Sequence, residues 1–199
     1  MKYKRALLRS AVIAAIIALS VAVGFVWQAV SRNMDLKKYP REFSEHVEKH
    51  SEEYGVPEKV IYAVIKYKSD FQSNCVGSDT GVGLTGLKPV EFTRLLSVTR
   101  EDLTDGILYD PETNIRYGAM YLSILYSSYG RWEQVFAAVA SSREAVDLWR
   151  EDPELLGEMG KLTIPDGSVA AEVEKLESIA AKYNSLYNLD QKAERKYIK

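Results

Sequence analysis

Four ionisable side chains gather in sequence around a glycine-rich stretch, and between them they could move a proton. Lys68 and Asp70 close a helical run, Asp79 lies within the stretch, and Glu91 follows it. A carboxylic acid with a raised pKa can give a proton near neutral pH and take it back, which is what general acid–base chemistry needs. An ammonium group, with an ordinary pKa of about 10.4, is a poor donor, and a neutral amine has no acidic proton to give. Asp70 falls two residues past Lys68, on the opposite side of a helix. Spacing leaves both Asp79 and Glu91 open as acids. His46 and His50, the only histidines, stand four apart on a helix. Without a third ligand they read as a solvated or packed pair, so neither a metal nor another cofactor is expected. The single Cys75 permits no internal disulfide and reads as a passive thiol.

The elements that must position these groups are helical. Residues 41–54 place Phe43, Val47 and Tyr54 on one face, and Gly55 closes the run. Pro57 suits a first turn, after which Val60, Ile61, Val64 and Lys68 follow at three- and four-residue spacing. Residues 72–88, with Gly77, Gly81, Gly83 and Gly86, predict a loop, and Pro89 starts a short helix. Asp110-Pro111-Glu112 is a capped helix start for a stripe of Ile115, Ala119 and Leu122 running to about Ser128. Gly130 breaks it. Residues 132–140 form a small-residue helix, and a last one spans residues 169–187. No alternating strand and no internal repeat is present, so the fold class is all-α.

The amino end differs in kind. Residues 10–31 hold no charge and are dominated by Ala, Ile, Val and Leu. Twenty-two residues at about 1.5 Å each span about 33 Å, the apolar thickness of a bilayer. Residues 1–9 hold four bases and no acid, which predicts a cytoplasmic tail, a single transmembrane anchor and a domain outside the cytoplasmic membrane. A signal peptide cut near Ala18-Leu19-Ser20 is the rival reading, although the apolar run continues past it. Residues 32–38 read as a linker, 39–190 as the domain and 191–199 as a polar tail. The linker holds three bases and one acid, so the chain total of −2 leaves −8 from Tyr39 onward. So acidic a domain excludes nucleic acid as a partner.

Four blocks carry a resemblance. They are residues 56–71, ending in Lys68-Ser69-Asp70-Phe71; Gly83-Leu84-Thr85-Gly86-Leu87-Lys88-Pro89; Asp110-Pro111-Glu112-Thr113-Asn114-Ile115-Arg116-Tyr117-Gly118; and Ala138-Val139-Ala140-Ser141-Ser142 with Trp149 beyond. Their order and spacing, behind an opening Tyr39-Pro40 pair, resemble the soluble-type lytic transglycosylases of the lysozyme-like superfamily. The resemblance implies a lysozyme-like helical domain and a groove for peptidoglycan. It also implies departures: the family's glutamate is Lys68, its loop methionine and glutamine are Thr85 and Gly86, and its tyrosine and asparagine are Val139 and Ala140. A closing Glu-Thr pair and a later tyrosine fall on Ser168, Val169 and Glu172. The groove candidates are thus Lys68, Ser69, Gly83, Leu84, Thr85, Gly86, Val139, Ala140, Ser141 and Ser168.

In that family the glutamate protonates the departing glycosidic oxygen, and the transition state resembles an oxocarbenium ion. Loss of general acid–base help typically costs ~10²–10⁴ in rate. A lysine cation about 5 Å from the developing charge adds roughly 3 kcal/mol of repulsion at an effective dielectric of ~20. Three readings follow: a non-catalytic relative that binds a peptidoglycan strand or a cell-envelope protein through the former groove; an active transglycosylase using Asp79 or Glu91; or a protein-interaction module that no longer touches sugar, its wall made apolar by Val139 and Ala140.

Overall fold

The computed structural model describes the backbone of residues 2–190 and the side chains of residues 17–190 apart from Met159. The polar tail, residues 191–199, lies outside the described residues. The chain divides into two compact units, Met1–Pro40 and Arg41–Lys199.

The first unit is one helix, α1 (Lys2–Lys38). Residues 32–38, expected to be a linker, continue it. They contain no glycine or proline, and Lys37 and Lys38 sit in the last turn, where cations complement the helix dipole. The chain leaves the helix at Tyr39, whose N–H still reaches the Asp35 carbonyl at 2.8 Å, because Pro40 disfavours helical geometry in the residue before it. From Ile17 to Met34 the large apolar side chains of α1, Phe25 and Trp27 among them, are exposed. Among the described residues no helix is long and apolar enough to cross a membrane. The side chains of residues 1–16, which include the predicted tail and the start of the predicted span, lie outside the described set.

In the second unit α2 (Ser44–Tyr54) starts three residues later than periodicity suggests, because Phe43 takes a left-handed conformation, φ 56°. After Pro57, α3 (Glu58–Lys68) buries six residues in succession, Val60 to Ile65. A helix buried all round is a central one. It packs against α8 (Gly167–Tyr187), where Tyr62 and Tyr183 stack with centroids 5.0 Å apart. α5 (Pro111–Tyr129) is capped as its sequence predicts, Asp110 accepting the Thr113 N–H at 2.9 Å, and it packs on α2 and on α6 (Trp132–Ala140). α6 in turn packs on α8.

The glycine-rich stretch joins α3 to α4 (Pro89–Thr99) and folds back through isolated antiparallel bridges, Val76 with Val82 and Val82 with Leu87. Val82, Leu87, Phe92, Leu95, Leu108 and Tyr117 form a core beneath it, with Phe92 edge-on to Tyr117 at 4.8 Å. Fully burying a side chain of this size is worth about 1.5–3 kcal/mol. One helix is an addition to the sequence reading: α7 (Arg143–Glu151), whose first turn is capped by Ser142 accepting the Ala145 N–H at 3.1 Å.

Candidate functional site

The end of α3, the glycine-rich stretch, the start of α4, the middle of α5 and the α6–α7 corner line an open cleft. Its floor is apolar, from Val64, Leu122, Ala138 and Val139, and its charged wall comprises Lys68, Asp79, Lys88, Glu91 and Arg143.

Lys68 ends α3 and points into the cleft. Its ammonium donates to Asp79 Oδ2 at 2.7 Å, with the two side chains 14% and 32% exposed. Burial alone would raise the Asp79 carboxyl. The Lys68 hydrogen bond and charge outweigh it, and with the Gly81 N–H they hold this group below the usual carboxylate range. The lysine stem lies flat on Gly86: a Cβ there would come within 2.9 Å of Lys68 Cδ and 3.0 Å of its Cβ and Cγ. Gly86 also has φ +60°, which a side chain would strain. The lysine and the glycine therefore fit as a pair. Asp70, at φ 49°, turns away and pairs with Lys66 on the exposed side.

Glu91 is buried and lines the cleft, but its carboxylate pairs with Arg94 at 3.2 Å, and Arg94 continues to Glu144. Tyr121 lines the wall beside it. Burial first, then the charge of Glu91, pushes its hydroxyl pKa up.

The other candidates divide. Thr85, Gly86 and Val139 line the cleft with Lys68, as do both alternative acids. Thr85 is not free: its N–H and its hydroxyl both donate to Asn114 Oδ1 at 2.8 Å. Ser69 is buried and donates to the carbonyls of Ile65 and Leu84, at 3.0 and 2.8 Å, which fastens the stretch to α3. Leu84 is fully buried, and at Gly83 an added Cβ would lie 2.2 Å from Asn114 Nδ2. Ala140 and Ser141 lie past the wall, and the Ser141 hydroxyl donates to Ala137. Ser168 sits in the exposed first turn of α8, bonded to Asp166, away from the cleft.

Four residues carry more of the site than sequence reasoning assigned. Asn114 is fully buried and ties the stretch to α5, its amide donating to the carbonyls of Val82 and Leu108 at 2.9 and 2.8 Å. Gly118 lets Thr85 lie against α5, since a Cβ there would sit 2.5 Å from Thr85 Cγ2. Lys88 and Arg143 add cations to the rim. Asn114, Gly118 and Lys88 were visible only as motif letters, and nothing local marked Arg143. His50 is buried and bonded to Glu53 at 2.8 Å, and among the described residues no group of three or more metal-ligating side chains is present.

A family profile described as the transglycosylase SLT domain matches residues 45–154, which contain every wall of this cleft. The chain belongs to that family. Curated relatives named membrane-bound lytic murein transglycosylase C are similar to it: the one from Serratia proteamaculans is 33% identical over 107 residues, covering 51% of this chain and 29% of the relative. That from Pectobacterium atrosepticum has the same identity and coverage. The chain thus spans under a third of the length of these relatives. Among solved structures, an inactive Glu-to-Gln mutant of the lytic transglycosylase Slt from Pseudomonas aeruginosa superposes with a TM-score of 0.67 at 25% identity, over 76% of this chain and 25% of that one. The 70 kDa soluble lytic transglycosylase from Escherichia coli gives 0.67 at 19% identity over the same shares, a likeness of fold. The SLT-domain, lysozyme-like fold read from the four blocks is therefore this chain's fold.

Proposed function

We propose that this chain is a non-catalytic member of the SLT family, anchored through residues 10–31 at the outer face of the cytoplasmic membrane. Its cleft binds a peptidoglycan strand without cutting it. The observation that carries the reading is the 2.7 Å Lys68–Asp79 ion pair at the place where the family resemblance puts a glutamate. Asp79 is held ionised by that pair and has no proton to donate at neutral pH. Glu91 is committed to Arg94. The repulsion expected from a bare lysine is largely cancelled by Asp79, so the missing proton donor is the penalty that remains, about 10²–10⁴ in rate. In the Pseudomonas aeruginosa enzyme a single glutamate-to-glutamine change accompanies inactivity, in keeping with dependence on one acid.

The anchor rests on the uncharged run of residues 10–31, on its helical backbone and on the exposed apolar side chains from Ile17 to Met34. The murein relatives, named as membrane-bound, accord with it.

The test is a zymogram and product analysis with the full chain in detergent micelles. The gel should show no clearing, and Lys68→Glu alone should not restore it, because the new carboxylate would face Asp79 and uncover Gly86. Release of anhydro-muropeptides by the wild type would overturn the proposal. If such release vanished in Asp79→Ala or Glu91→Ala, the acid would be identified.

A further inference from the structure

One buried titratable side chain plays no part in the cleft. His50, on α2, is 1% exposed and bonds through Nδ1 to Glu53 Oε2 at 2.8 Å, the Glu53 side chain itself being 43% exposed. An ionised carboxylate only accepts, so Nδ1 carries the proton and Nε2 is left with a lone pair. Nε2 is buried and meets no hydrogen-bond partner among the described residues. The ring stacks near Tyr54, with centroids 6.2 Å apart.

In sequence His50 is flanked by the ties that seat α2 on α5. Lys49 pairs with Glu112 at 2.5 Å, the Ser123 hydroxyl donates to the Tyr54 carbonyl at 2.8 Å, and Arg116 Nε reaches the Tyr54 hydroxyl at 3.3 Å. α5 also supplies Gly118, Tyr121 and Leu122 to the cleft, so α2 braces a helix that the cleft shares. The charges acting on His50 are Glu53 and Lys49 on its own helix and Glu112 on α5; α3, also packed on α2, contributes none of these. Burial pushes the His50 pKa down, and the Glu53 bond offsets this only in part. Burial alone would raise the Glu53 carboxyl, but bonds from His50 and Tyr54 outweigh it and hold that group below the usual carboxylate range.

We propose that His50 makes the seat of α2 on α5 sensitive to mild acid. While neutral, the imidazole packs there with an idle lone pair and no charge. A proton taken at Nε2 puts a second N–H into a space that holds no acceptor for it, and α2 loosens so that water reaches the ring. A histidine whose folded pKa lies below its unfolded value, near 6.5, contributes fully above that value and ceases to contribute as pH falls toward the folded pKa. Glu53 stays ionised through that window, so the change belongs to the imidazole. The device does not depend on what the cleft binds.

The experiment is NMR on the full chain in detergent micelles, carrying His46→Gln so that one imidazole remains. His50 should show the Nδ1–H tautomer and a titration midpoint below about 6.5. Amide protection in α2 should fall at least about fivefold between pH 7.5 and pH 5, against a ceiling of about thirtyfold for one histidine, while α6 stays within about twofold. His50→Asn keeps a donor toward Glu53 and cannot take the proton, so its α2 protection should stay within about twofold as well. A midpoint at or above about 6.5, the Nε2–H tautomer, a smaller fall in α2, or an equal fall in α6 or in His50→Asn would each overturn the proposal. Should His50→Asn fail to fold, the midpoint and the contrast between α2 and α6 decide.

Discussion

The inner part of the glycine-rich stretch, Gly83 to Thr85, and its outer part, Gly77 to Gly81, hang from the same helix end but are fastened differently. The inner part is drawn into the core by neutral hydrogen bonds. Asn114 takes the Thr85 N–H and hydroxyl and gives its amide to Val82 and Leu108, while Ser69 holds Leu84 from the other side. The outer part closes on itself, Gly77 N–H to the Gly81 carbonyl at 2.8 Å, and is tied to α3 by the single Lys68–Asp79 pair. The residues that accord with the resemblance, Gly83, Leu84, Asn114 and Gly118, belong to the inner set. Lys68 and Gly86, which depart from it, face the cleft. Thr85 departs too, yet both its polar groups are recruited inward. The scaffold and the cleft-facing surface are thus separable within a dozen residues, and one can change while the other stays.

The sharpest way to break this contrast is at its buried hub. Asn114→Ala leaves the Val82 and Leu108 carbonyls and the Thr85 N–H without partners. Unsatisfied buried groups cost roughly 1–3 kcal/mol each, so a loss of about 3–5 kcal/mol is expected in denaturant melts. A loss under about 1 kcal/mol would mean that the inner part is held by packing alone.

The second test crosses the two parts. Gly86→Gln installs the side chain that the resemblance puts there but meets the Lys68 stem and a positive φ, and should cost about 1–3 kcal/mol. In a Lys68→Ala background the stem is gone and part of that cost should disappear, leaving a coupling of at least about 0.5 kcal/mol. Strict additivity would refute the claim that the two departures form one fitted pair.

The fold was legible in the sequence because its signals are local and redundant. The Asp110 cap, Pro89 at a helix start and the helical spacing of α3 each name an element without reference to the rest. α7, nine residues long with Val146 as its buried residue, escaped that reading although Ser142 is an N-cap residue. Phe43 shortened α2 through a left-handed turn that residue type does not announce. The site was half legible: the lysine at position 68, where the resemblance puts an acid, could be read directly. That its stem needs Gly86, that Asp79 neutralises it, and that Ser69 faces the core are tertiary facts. They depend on how residues 77–86 fold back on α3. Asp70 turns away from the cleft as helical spacing suggests but for another reason, since α3 ends at Lys68 and Asp70 takes a left-handed φ of 49°.

The smallest expected effect concerns the outer tie itself. Asp79→Asn keeps the side chain's shape and removes its charge. For a pair lying between the exposed and buried limits, a loss of about 1 kcal/mol is expected at pH 7. The sign with pH follows from the depressed carboxyl of Asp79. A group whose folded pKa lies below its unfolded value, near 3.9, contributes fully above that value and loses its contribution as pH falls through the folded pKa. The difference between wild type and Asp79→Asn should therefore stay constant from pH 7 to about pH 5, shrink below about pH 4, and vanish only at still lower pH. Melts across that range measure it, and Lys68→Met provides the control, because an unpaired Asp79 should lose the acid-sensitive part. A difference that disappears already near pH 5 would mean that the lysine does not hold this carboxylate ionised, and the outer part of the stretch would then owe its position to the Gly77–Gly81 turn alone.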